Sequence, residues 1–292
     1  MKYKNQFVMK DSKKLAQPFF KWVGGKRQIA DIILDEFPSE IENYYEPFVG
    51  AGAILFRVLQ EYPNLKHVRI NDSNIDVVWA YAYVRDSIDK LIEGLKEIEK
   101  EYNSSEDKQG FYYNIRTEFN ELIRENNYEL RRTVLFLFLN KTCFNGMYRV
   151  NRNGDFYTPY NYAKEIKFDY ENLRVCSNLL QNVTITCGDY SYALPAEPAM
   201  VYLDPPYKPL NGGGEIGYTV NGFGDEEQVR LRDNINKIKN ACKVILSNSD
   251  TKDGFFDDLY KEYNIQRIQA RRNINRDGNG RGKIDELLIK NF

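Results

Sequence analysis

Short apolar runs alternate with longer polar stretches of helical period along most of this 292-residue chain. Tyr44–Phe48, His67–Ile70, Val183–Cys187, Met200–Leu203 and Lys243–Ser247 read as short, largely buried strands. The stretch Lys21–Phe37 opens on glycines and continues as an amphipathic helix, with Ile29, Ile32, Ile33 and Phe37 on one face. Gly50-Ala51-Gly52 opens a second helix carrying Ile54, Leu55 and Leu59, and a third is predicted from about Asp225 to Cys242. Two final strands, Ile265–Ile274 and Lys283–Lys290, are joined by a polar loop. Strand, glycine turn, helix, strand and terminal Asn71-Asp72 describe one right-handed parallel βαβ unit. From Ile75 to Tyr170 helical periodicity takes over and no run belongs clearly to a central sheet; that segment closes on Phe144–Tyr162, rich in Asn, Gly, Tyr and Arg. The expected fold is α/β, with helices on both faces of a sheet. Residues 1–74 and 171–292 form its core, and 75–170 a mostly helical insertion.

Net charge is −1, so the chain as a whole does not announce a polyanionic partner. Local charge does. Leu130–Gly154 holds Arg131, Arg132, Lys141, Arg149 and Arg152 with no acid, and Arg267–Lys283 holds six basic residues against Asp277. Such segregated patches suit a nucleic-acid face as well as solvated surface. Cys143, Cys176, Cys187 and Cys242 are scattered and His67 is the sole imidazole, so neither a zinc site nor a histidine triad is supported, and no metal is expected. The free thiols, the polar lysine-rich start and the lack of a membrane-length apolar run together predict a cytoplasmic protein without a membrane partner.

The densest chemistry is Asp204-Pro205-Pro206-Tyr207, directly after the apolar Met200–Leu203. Two prolines cannot extend a strand, because neither donates a ladder hydrogen bond. The turn is therefore stiff. It sets a carboxylate, a carbonyl and an aromatic ring at a strand's carboxyl end, where open α/β sheets bind ligands. Two acceptors and a stacking surface suit a planar amino-bearing heterocycle such as an everted adenine. Phe48-Val49-Gly50-Ala51-Gly52 lets backbone approach a ligand, or is simply a tight turn. Asp72 follows Gly52 by 20 residues, at the place from which a carboxylate takes ribose hydroxyls. Lys21-Trp22-Val23-Gly24-Gly25-Lys26 lacks the residues of a phosphate-binding NTPase loop; it suits a carboxylate held by Lys26 and free amides, or ordinary helix capping. Asp189, after Cys187-Gly188, is either a second heterocycle contact or a turn aspartate.

Asp-Pro-Pro-Tyr together with Phe-x-Gly-x-Gly resembles the S-adenosylmethionine-dependent DNA adenine N6-methyltransferases. The Dam/DpnM branch shares, in the same order, Lys21–Lys26, Glu46–Gly52, Asn145-Gly146-Met147-Tyr148-Arg149-Val150-Asn151, Asp204–Tyr207, Leu246-Ser247-Asn248-Ser249 and Arg281–Glu286. The resemblance implies a Rossmann-like methyltransferase sheet and methyl transfer to adenine N6 in duplex DNA, with the insertion reading the target. Its implied cofactor set is Trp22, Gly24, Gly25, Lys26, Glu46, Pro47, Phe48, Gly50, Gly52, Asp72, Asp189 and Asp204. Within that set Lys26 meets the methionine carboxylate, Asp72 the ribose and Asp189 the cofactor's adenine. Asp204, Pro205, Pro206 and Tyr207 form the catalytic turn. Lys21, Phe144, Asn145, Met147, Arg149, Asn151 and Pro159 contact DNA, Phe144 as a wedge where the adenine leaves, although Val134–Leu139 before it also admits Phe144 as a core ring. Two departures bear on the target sequence: Phe156-Tyr157-Thr158-Pro159-Tyr160-Asn161 has Thr for the usual Val and lacks the glycine after its second tyrosine, and Gly212-Gly213-Gly214 replaces a Ser/Thr-rich loop. GATC is the expected site, with a cognate restriction endonuclease as a possible functional partner. Methylation of RNA adenine or of cytosine N4, and a DNA-binding module with a vestigial cofactor site, are the alternatives.

Overall fold

The computed structural model describes residues 15–208, 223–271 and 283–292. Seven strands form one sheet in the order β3-β2-β1-β4-β5-β7-β6. They are β1 Asn43–Glu46, β2 His67–Asp72, β3 Val183–Cys187, β4 Met200–Leu203, β5 Lys243–Ser249, β6 Asn264–Arg271 and β7 Lys283–Lys290. β1 to β5 are parallel, whereas β7 runs antiparallel between β5 and β6. β4 is buried at every residue and β5 at all but the first, as a parallel sheet covered on both faces requires. This is the α/β methyltransferase sheet that the resemblance implied. The order reverses at β1, which lies between β2 and β4, so a crevice opens at the carboxyl ends of β1 and β4.

The predicted first helix divides. Lys26–Gln28 is a 3-10 turn, and α1 (Ala30–Asp35) begins only after Ile29, whose φ of −115° is not helical. Ile29, Ile33 and Phe37 are buried, but Ile32 is exposed, because the joint rotates the apolar face away from it. β1 stops at Glu46, one residue before Pro47, which has no N–H to continue the ladder. α2 (Ala53–Glu61) follows the glycine turn and returns the chain to β2.

Within 75–170, between β2 and β3, come α3 (Ile75–Asp86), α4 (Ile88–Ser104), α5 (Lys108–Arg124) and α6 (Leu130–Thr142). α3 packs on β3 and α7 (Tyr170–Leu180) as well as on α6, and one apolar cluster runs from Ile33 and Leu55 through Leu95 to Phe138. The irregular Phe144–Tyr162 is a distorted hairpin: Cys143 bridges Tyr160, and Val150 bridges Phe156. α8 (Asp225–Ile238) ends four residues before the predicted limit, and α9 (Phe255–Leu259) precedes β6. The loop predicted between the two final strands, and Gly212-Gly213-Gly214, lie outside the described residues.

Candidate functional site

All but one of the residues singled out above, Asn151, line a cavity of about 1840 Å³ at the carboxyl ends of β1, β2, β3 and β4. Its centre is the turn after β4. Lys26, brought in by the glycine loop ahead of α1, is buried and sets its ammonium 2.7 Å from Asp204 Oδ2. The same ammonium donates to the Gly24 carbonyl and lies 4.7 Å from the centre of the Tyr207 ring. Asp204 Oδ1 is the contrasting atom: it is buried without a hydrogen-bond partner. Burial pushes the Asp204 carboxyl up to about 6, although Lys26 favours its charged form.

Glu46, at the end of β1, is also buried; its Oε2 accepts from the Tyr44 hydroxyl at 2.7 Å. Burial, with Asp204 nearby, pushes its carboxyl up to about 8, so it is predominantly protonated at neutral pH. Asp72, at the end of β2, takes the Gly50 amide on one oxygen at 3.0 Å and the Asn74 amide on the other at 2.9 Å. Burial raises it to about 6 against those amides. Gly50 has φ +48°, and a Cβ there would stand 2.7 Å from the Trp22 ring; no other residue lets the two loops meet. Asp189, after β3, caps the short turn Tyr190–Ala193 through the Ser191 amide and holds Arg230 of α8 with both oxygens. Burial opposes its ionisation, but the bonds from Arg230 and Ser191 hold it down at about 2. It is thus both a turn aspartate and a wall of the cavity, beside Phe48 stacked on Tyr190 at 5.0 Å.

The Lys21 side of the cavity is built on Asn140, a buried polar residue near the end of α6. Its side chain accepts from the Lys21 amide at 2.8 Å and donates to the Lys21 carbonyl at 2.8 Å and the Gly146 carbonyl at 3.2 Å. Gly146 has φ +65°, and a Cβ there would come 2.7 Å from the Lys21 side chain. Phe144 is 48% exposed, which removes the core-ring alternative. Asn145 (φ +57°), Arg149 and Pro159 are exposed along the same rim. Met147 is buried, so its side chain supports the loop from beneath and does not stand on the outer surface. Asn151 lies off the cavity: its side-chain Oδ1 closes the hairpin tip by accepting the Asn153 and Asp155 amides at 2.8 and 3.0 Å.

Comparison with known proteins agrees with this geometry. Residues 22–274 match the family model of D12 class N6 adenine-specific DNA methyltransferases. The chain belongs to that family. It is 44% identical to the Type II methyltransferase M.MjaIII of Methanocaldococcus jannaschii over 290 residues, which cover 94% of this chain and 99% of the relative. It is 34% identical to M1.LlaDCHI of Lactococcus lactis, covering 94% and 95%, and 30% identical to the DNA adenine methylase of Haemophilus influenzae, covering 93% and 92%. This D12 class enzyme therefore methylates adenine N6 in DNA from S-adenosylmethionine. Its cavity fits the cofactor's chemistry: a glycine turn that a Cβ would fill, carboxylates at two strand ends for hydroxyl and amino donors, and an aromatic wall.

Of the residues that hold the turn, Gln228 was not read from the sequence, and Asn248 and Ser249 were read only as part of a shared motif. Gln228 of α8, fully buried, donates Nε2 to the Pro206 carbonyl at 3.1 Å and accepts from Asn248 at 3.2 Å. Asn248 accepts the Lys208 amide at 3.3 Å, and Ser249 donates to the Lys208 carbonyl at 2.7 Å. A signal existed in Gln228, a polar residue on the apolar phase of Gln228, Leu231 and Ile235. A second buried network joins α3, α6 and the hairpin that follows α6. Arg132 of α6 pairs with Asp76 of α3 at 2.6 Å, and the Tyr148 hydroxyl donates to the same carboxylate at 2.9 Å. Asp76 in turn donates its amide to Asn74, whose amide binds Asp72. Among the described residues no cluster of His, Cys, Asp and Glu could hold a metal, and no helix is long and apolar enough to cross a membrane.

Proposed function

We propose that Asp204 Oδ1 and the Pro205 carbonyl receive the amino group of a target adenine everted from duplex DNA. The observation that carries this reading is the asymmetry of Asp204: Oδ2 is anchored by Lys26, while Oδ1 is buried and vacant. Burying an acceptor without a partner costs about 1–3 kcal/mol, which an incoming N–H donor relieves. Gln228 engages the Pro206 carbonyl, which leaves the Pro205 carbonyl as the turn's other acceptor. The Lys26 ammonium lies against the Tyr207 ring, so the base stacks on the opposite face, a contact worth about 1–3 kcal/mol.

The cofactor supplies an electrophilic methyl group on a sulfonium. The chain's own residues aim the nitrogen. Two acceptors on the amine localise its lone pair and stabilise the positive charge that builds up as the new bond forms. The methylated amine is strongly acidic, so the adjacent Asp204 carboxylate suffices to take its proton. In this scheme Asp72 serves the cofactor's ribose, with Phe48, Tyr190 and Asp189 around its adenine and Trp22, Glu46 and the Gly24-Gly25 amides around its methionine part. Lys26 pairs with Asp204, and the bond expected from it to the methionine carboxylate is shared with that pair. Lys21, Phe144, Asn145 and Arg149 form the DNA face.

Asp204→Asn provides the test. Lys26 will hold the amide oxygen, which turns an NH₂ donor toward the substrate's own donor. Tritium transfer to DNA should fall by about 100-fold or more, with cofactor affinity retained. Transfer at the wild-type rate would end this assignment. We further propose GATC as the target and a cytoplasmic role beside a restriction endonuclease, with no stable complex; the Type II names of two relatives support the latter. Mapping methylated adenines in a methylation-deficient host reads the target directly.

A further inference from the structure

β7 runs antiparallel to its neighbours, so its beginning, not its end, lies at the carboxyl ends of the parallel strands. Glu286 sits there, paired in register with Ser249 of β5, and its side chain enters the wall of the cavity. The Tyr207 hydroxyl donates to Glu286 Oε2 at 3.1 Å. That hydroxyl also stands close enough to Asp204 to favour its ionised form, yet Asp204 Oδ1 accepts no hydrogen bond. One proton thus lies between two carboxylates, and Glu286 holds it.

We infer that Glu286 is a positioning residue that keeps the acceptor of Asp204 vacant by taking the Tyr207 hydroxyl. The inference rests on the proposed role of Asp204 and extends it. Tyr207 contributes its ring to the substrate, but its hydroxyl is a competing donor near the Asp204 carboxylate, whose Oδ1 is buried without a partner. Without Glu286 the hydroxyl turns onto Oδ1 and occupies the position that the adenine amino group needs. With Glu286 in place the ring is fixed at both ends: its hydroxyl by the β7 carboxylate and its face by Lys26.

A double-substitution cycle tests this. Glu286→Ala should lower kcat about tenfold, the size of one hydrogen bond misplaced at the reacting atom, with cofactor affinity unchanged. Tyr207→Phe keeps the ring and removes the competitor, so adding Glu286→Ala to Tyr207→Phe should change kcat by less than about threefold. Glu286→Gln keeps an acceptor for the hydroxyl and should hold kcat within about threefold of the wild type. The charges around Asp204 are Lys26 ahead of α1 and Glu286 on β7, with the titratable Glu46 on β1, Tyr202 on β4 and Tyr207 in the turn. Since Glu286 is the negative one that Glu286→Gln removes, the acid limb of kcat/KM should move to lower pH. The role is overturned if Glu286→Ala has wild-type kcat, or if its defect persists undiminished in the Tyr207→Phe background. Should Glu286→Ala fail to fold, Glu286→Gln decides, and loss of kcat or an unmoved limb overturns the role. A wild type that transfers no methyl group to adenine condemns the active-site reading itself; a wild type that does so while Glu286→Ala is unaffected condemns only Glu286.

Discussion

The Lys26 ammonium and Asp204 Oδ2 lie 2.7 Å apart in the interior of the cavity, although 178 positions separate them in the chain. The glycine loop and the end of β4 meet only because β1 and β4 are neighbours at the reversal of the sheet. The pair occupies one oxygen of the carboxylate and leaves the other without a partner, so Lys26, expected as a cofactor contact, also bears on the carboxylate proposed to receive the target amine.

The pH dependence of methyl transfer follows from that pair. With Oδ2 paired to Lys26, protonation of Asp204 falls on Oδ1 and turns the proposed acceptor into a donor; the carboxyl is raised to about 6, so kcat/KM should be full above that pH and fall as pH drops through it. Lys26 lowers this value by favouring the anion; Lys26→Met should therefore move the acid limb upward, together with a loss of kcat. A pH profile of tritium transfer reads both, and an unmoved limb would contradict the electrostatic role.

Gln228 should matter to the chemistry without touching the cofactor. Gln228→Ala leaves the Pro206 carbonyl and the Asn248 amide unpaired in the interior, a cost of about 1–3 kcal/mol. The catalytic turn loses its grip on α8, so kcat should fall about tenfold while cofactor affinity measured by calorimetry stays within about twofold. A variant that loses cofactor binding instead would show that the brace supports the whole pocket.

Asp76 should carry the largest stability effect. Its carboxylate serves both Arg132 and the Tyr148 hydroxyl, and all three groups are buried. Removing one partner of a buried pair strands the other charge, typically at about 3–5 kcal/mol. Asp76→Ala should lower the denaturant midpoint accordingly, and fluorescence-monitored unfolding will show it. A change below about 1 kcal/mol would mean that water reaches Arg132.

Read alone, the chain was most explicit where local rules dominate. β3, β4 and β7 have the predicted bounds: Val183–Cys187 is a β-branched-rich run closed by Gly188 and Met200–Leu203 an apolar one closed by Asp204-Pro205, whereas Lys283–Lys290 is marked by its apolar Leu287-Leu288-Ile289. The turn at Asp204–Tyr207, the glycine turn and the strand-end position of Asp72 were legible because proline and glycine restrict backbone in ways that sequence displays directly. Bounds drifted where local signals are weak, as at Ile29, where a 3-10 turn meets α1 and leaves Ile32 outside.

What the tertiary structure alone decided is which polar groups share a partner. Glu286 faces Tyr207 because β7 is threaded antiparallel beside β5, and Gln228 reaches Pro206 because α8 crosses that same end of the sheet. Hydrogen bonds and ion pairs are satisfied in space, at separations of about 3 Å that sequence distance does not encode. A motif can therefore name the residues that do the chemistry, while the oxygen left vacant for the substrate is visible only once every competing donor has found its place.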